Sequence, residues 1–173
     1  MKRVVGTLVA LGLATGGVLS CTKSFDATKF DSVVRKYRAV TEATRTGVSL
    51  IGLQPKVGEF ETEVAVLGDK PMTEKESTIY SKFKTASERY RDSVTLWKYA
   101  ISEGWTPGSY IRLFAAGEPT DEITMLVQRN ALSVIKNDDG SQDLRPEAIQ
   151  DLWDAGREAG ESAATELKIQ SGP

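Results

Sequence analysis

The chain has 173 residues, with 22 Lys or Arg against 24 Asp or Glu, a formal net charge of −2, no histidine and one cysteine. The absence of histidine removes His-based triads and His-containing zinc sites, and a single thiol removes intrachain disulfides and thiolate metal cages. Mild acidity argues against nucleic acid as a partner, which needs a strongly basic face, and no phosphate-cradling glycine loop occurs.

The first element is a leader. Lys2 and Arg3 precede an apolar run from Val4 to Leu19 and the small residue Ser20, the three parts of a secretory signal. As a membrane span the run is short, and Gly6, Gly12, Gly16 and Gly17 weaken it. Val18-Leu19-Ser20-Cys21 resembles the lipobox of bacterial lipoprotein signal peptides, a resemblance that covers residues 1–21. It implies that the Cys21 thiol is alkylated to a diacylglyceryl thioether and that cleavage falls between Ser20 and Cys21. Several acyl chains on one cysteine would tether the protein to a bilayer, where one chain alone binds marginally. Thr22 replaces the aspartate that retains such proteins in the inner membrane. The resemblance therefore implies the outer membrane of a Gram-negative envelope, or the outer face of a Gram-positive cell membrane. Losing the leader leaves a mature chain of about 150 residues and a charge near −4, enough for one domain that buries about two-thirds of its unfolded surface.

Hydrophobic periodicity then predicts helices in chain order. The first covers 29–52, with Phe30, Val33, Val34, Tyr37, Val40, Thr44, Val48 and Ile51 inward; Thr28 and Asp31 form its capping box, and Gly52 and Pro55 end it. The second covers 56–67, with Val57, Phe60, Val64 and Leu67 inward. The third and longest covers 73–103 on the stripe Ile79, Phe83, Ala86, Tyr90, Val94, Trp97 and Ile101, opened by Thr73 and Glu76 and stopped by Gly104. It would span roughly 45 Å.

The stretch "GWTPGSYIRLFAAGEPT" (104–120) predicts a short helix from Thr106-Pro107 through Ala116. A further helix begins near Thr120 and carries Ile123, Leu126, Val127 and Ala131. "KNDDGSQD" (136–143) is a turn that can close a small hairpin after "LSVI"; residues 131–136 stay open between helix and strand. Pro146 opens the last helix, to about Ile169, with Ile149, Leu152, Trp153, Ala159, Ala163 and Leu167 inward. Its Gly156, Gly160 and neighbouring alanines admit close approach by the aromatic-rich third helix. The expected fold is all-α: an antiparallel bundle of three long helices with shorter helices packed across it. Residues 1–20 are leader, 21–28 a short lipidated tether, and 29–169 a single domain.

Few side chains suggest chemistry. An EF-hand register on "NDDGSQD" fails, because it puts Ile135 and Pro146 where acidic ligands belong. Glu59, Glu61 and Glu63 spread around a helix surface. Lys84, Arg91 and Lys98 recur at seven-residue steps, either a basic ridge for an anionic partner or stems covering apolar edges. Trp105, Tyr110 and Phe114 either anchor a partner or plug the end of the bundle. No catalytic residue, metal or cofactor is assigned. The expected role is a non-enzymatic, lipid-anchored envelope protein acting through contacts with a membrane-proximal protein. Two alternatives are a carrier holding a small apolar ligand beside Trp97 and Trp153, and a carboxylate-only enzyme on cell-wall glycans, which needs two acids ~5 to 9.5 Å apart.

Overall fold

A computed structural model describes residues 24–114 and 121–171; Cys21 and Thr22 lie outside the described residues. One 3-10 turn at Ala27–Phe30 leads into α1 (Asp31–Thr46), α2 (Leu50–Gly68) and α3 (Glu74–Ser102). Then come β1 (Ile111–Phe114), α4 (Asp121–Arg129), β2 (Val134–Lys136), β3 (Gln142–Leu144) and α5 (Ala148–Ser171). The fold is predominantly helical, a packed bundle carrying a small sheet. No helix of the described residues is long and apolar enough to cross a membrane.

The single helix expected over 29–52 is two. Gly47 adopts φ 82°, a left-handed conformation that closes α1 by an N–H bond to the Ala43 carbonyl. Ser49 then starts α2, its side chain accepting from the Gly52 N–H. The chain reverses there, so Ile51, expected inward, is 86 % exposed. Pro55, expected to mark the end of the first helix, lies inside α2. Pro55 and Ile51 share an exposed face, so water can serve the Ile51 carbonyl that proline cannot. The expected box of Thr28 and Asp31 is also absent: Asp26 caps the 3-10 turn by accepting from the Thr28 N–H, and Phe30 precedes α1 without a side-chain cap.

α3 forms as its pattern requires. Thr73 and Glu76 make the reciprocal capping box, and Gly104, at φ 76°, ends the helix while the Trp105 N–H bonds the Ala100 carbonyl at 2.9 Å. At 29 residues it rises about 43 Å, more than α1 and α2 can cover, and this length divides the core in two. Around its first half α1, α2 and α5 bury Phe30, Tyr37, Phe60, Phe83 and Tyr90. Around its second half α4, α5 and the sheet bury Leu96, Ala100, Ile111, Leu126, Leu144 and Leu152. The inward face of α3 turns between the two, which leaves Ile101, at the end of the expected stripe, half exposed.

The expected helix from Thr106 to Ala116 gives way to a turn at Thr106–Ser109 and then β1. Alternation decides it: Ile111 and Leu113 are buried while Arg112 points out. Residues 134–136 are strand, and "KNDDGSQD" closes the β2–β3 hairpin. The sheet order is β1-β3-β2, all antiparallel, with Asp143 opposite both Arg112 and Ile135.

α5 packs antiparallel to α3 along the molecule. Lys82 pairs with Glu166 near one end, and the rings of Trp97 and Trp153 meet edge to face at 5.5 Å near the other. The small residues expected to admit α3 serve two helices: Gly156 faces the Tyr90 ring of α3, and Gly160 faces Tyr37 of α1.

Candidate functional site

The segment that follows the tether is fastened to the bundle at one carboxylate. Glu76, fully buried at the start of α3, accepts from the Thr73 N–H at 2.7 Å and the Asp26 N–H at 2.8 Å. The Lys29 ammonium donates to both of its oxygens at 3.0 Å and to the Pro71 carbonyl at 3.2 Å. Burial alone would raise this carboxyl, but the two backbone bonds and Lys29 outweigh it and pull its pKa down to about 2. Phe25 packs on the core beside this clamp. The sequence marks Glu76 as a helix cap; its bonds to Asp26 and Lys29 arise only once the chain start folds back on α3.

The neighbouring seam between α1 and α5 is closed at one level and open below it. At the closure the Tyr37 hydroxyl donates to the Arg157 carbonyl at 2.9 Å, and burial pushes that phenol up to about 12. Toward the tether the helices part around a groove of about 660 Å³. Half-buried Ala27, Val34 and Leu167 form its apolar lining; exposed Arg35, Arg38 and Lys168 rim it together with Asp31. Among the described residues no carboxylate stands within ion-pair distance of these three cations, while Lys29, Lys36, Arg45 and Lys82 each have one. Past Arg38 and Lys168 the depression continues toward Glu42 and Glu161. No protein-family model, no curated protein and no solved structure matches this chain.

The α3 residues singled out by spacing are exposed and mixed with acids. Lys84 lies 3.9 Å from Glu88, and Arg91 lies 3.7 Å from both Glu61 and Asp92. Lys98 borders a shallow dip with Glu122. Of the loop aromatics, Trp105 and Tyr110 differ in setting. Trp105 packs on the second core and donates its indole N–H to the Ser109 carbonyl at 2.8 Å, whereas Tyr110 is 58 % exposed. Phe114 ends β1.

One polar centre escaped sequence reading. Asp92, buried on α3, accepts from Arg129 through both oxygens and from the Asn130 amide at 2.7 Å, pinning the end of α4. Its neighbours in sequence are Arg91 and Ser93, so it reads as surface until α4 covers it. Trp97 and Trp153 fill the space between α3 and α5 with their own rings, and the Trp153 indole donates to Ser93 at 3.0 Å.

Proposed function

We propose that this chain is a lipid-anchored lipoprotein of the bacterial cell envelope, whose helical domain acts by protein–protein contact close to the bilayer. The carrying observation is how soon the fold begins. Three peptide links separate Cys21 from Ser24, at most about 11 Å of extended chain, and Asp26 and Lys29 are already bound to Glu76. An anchor at Cys21 would hold this end of the bundle beside the membrane, and a partner would have to be membrane-embedded or lie next to it. Of the contact candidates, Lys84 lies nearest the tethered end, eight residues after Glu76 on α3; Arg91 and Lys98 lie further along that helix, and Trp105, Tyr110 and Phe114 follow its far end. The edge-to-face contact of Trp97 with Trp153 counts against a ligand carried between them.

Two variants test the reading. Cys21→Ala should lose incorporation of a fatty-acid analogue and leave the membrane fraction; wild-type protein that is unlabelled and soluble would refute the anchor. Inserting about twenty Gly/Ser residues after Thr22, a leash of roughly 25 Å r.m.s., should weaken crosslinking to the partner with lipidation intact. An unchanged crosslink yield would remove the need for proximity.

A further inference from the structure

We infer that the groove between α1 and α5 at the tethered end binds the headgroup of an anionic phospholipid from the bilayer that holds the protein. The inference rests on the anchor reading and adds a site to it. Three observations carry it. The groove opens where the chain enters the fold: Ala27, six residues after Cys21, is part of its lining. An anchor at Cys21 therefore holds the groove no more than about 21 Å of extended chain from the lipid surface.

Charge supplies the second observation. Arg35, Arg38 and Lys168 converge on the rim against Asp31 alone, in a chain whose overall charge is −2. Guanidinium forks suit phosphate oxygens, and basic side chains near an anionic leaflet are attracted to it. Shape is the third. Val34 and Leu167 give the lining an apolar strip on which a glycerol backbone and the first methylenes can rest, while the phosphate meets the rim. Beyond Arg38 and Lys168 the depression passes Tyr37 and meets Glu161, whose charge disfavours an anion that moves further up.

The test uses the full lipidated protein in phosphatidylcholine vesicles, with and without phosphatidylglycerol, read by hydrogen exchange and mass spectrometry. Peptides covering 27–38 and 164–171 should exchange about tenfold more slowly when phosphatidylglycerol stands at about ten times its dissociation constant. The exposed-residue variant Arg35→Ala/Arg38→Ala/Lys168→Ala should stay lipidated, vesicle-bound and folded by circular dichroism, yet lose that slowing. No phosphatidylglycerol-dependent slowing in the wild type, or equal slowing in the triple variant, overturns the inference while the anchor reading stands. Slowing in phosphatidylcholine alone that grows with protein-to-lipid ratio identifies a second copy of the chain as occupant and also overturns it. Absence of lipid mass on Cys21 overturns both readings.

Discussion

Tyr37 of α1 lies against the backbone of α5 at Gly160, so close that a β-carbon on Gly160 would overlap its ring. The hydroxyl of the same ring reaches back along α5 to the Arg157 carbonyl. One glycine thus permits the only ring of α1 that both plugs the first core and bridges to α5 among the described hydrogen bonds. Gly160→Ala should destabilise the protein by about 1 to 3 kcal/mol through overpacking, despite the helix propensity gained. Gly156→Ala is the control, since its added β-carbon would meet the Tyr90 ring at 3.2 Å. There the ~1 kcal/mol propensity gain offsets the tighter contact and the net change stays small. Urea midpoints of the two variants should differ clearly; equal midpoints would show that Tyr37 can move aside freely.

The Glu76 clamp predicts an acid limb. Its folded pKa of about 2 lies below the ordinary value of 4.5, so its contribution is complete above pH 4.5 and is lost as pH falls from 4.5 through about 2. The size is about 3 kcal/mol. Glu76→Gln should be less stable at pH 7 by a comparable amount, and its urea midpoint should change less than that of the wild type between pH 5 and pH 2.5. Parallel acid profiles would place the proton uptake elsewhere.

The partners in the α3–α4 ion pair are unequally buried: the Asp92 side chain is 2 % exposed and that of Arg129 44 %. Removing Arg129 leaves a buried carboxylate with only the Asn130 amide and, at 3.7 Å, Arg91, whereas removing Asp92 frees a guanidinium that can turn to water. Arg129→Ala should therefore cost about 3 to 5 kcal/mol and Asp92→Ala about 1 to 3 kcal/mol. Denaturation of both variants in the same buffer checks the order, and the reverse order would contradict this asymmetry.

Trp97 and Trp153 each contact both halves of the core. Each change to Ala should cost about 3 kcal/mol, and a double-mutant cycle should return a coupling of about 0.5 to 1.5 kcal/mol for the edge-to-face pair. Lys84→Ala on the surface should cost under about 0.5 kcal/mol. A coupling near zero would mean that each indole packs independently.

Ala131 ends α4 at φ 50°, in the left-handed conformation usually left to glycine. The Leu132 N–H bonds the Val127 carbonyl and the Ala131 N–H bonds the Gln128 carbonyl, so the conformation is held by the cap itself. Ala131→Gly should raise stability by about 1 kcal/mol, measurable as a higher midpoint. An unchanged or lower midpoint would show that the alanine conformation costs nothing here.

Local rules in the sequence were enough for the helical class, for α3 with its Thr73–Glu76 box and Gly104 stop, and for the inward faces of α2 and α5. These features depend on residues three or four apart, which meet wherever a helix forms. The left-handed Gly47 divides the first predicted helix because a single glycine and the Ser49 cap compete with an apolar period that runs straight across them, and only packing of α1 on α2 resolves that competition. β1 replaces an expected helix because Ile111, Arg112 and Phe114 find partners in β3, about thirty residues on, and a strand's bonds must come from elsewhere in the chain. The Glu76 clamp, the Asp92–Arg129 pair and the α1–α5 groove join residues 37 to more than 130 positions apart. Burial turns Glu76 and Asp92 from surface charges into fasteners, and burial is a property of the assembled bundle that no local pattern contains.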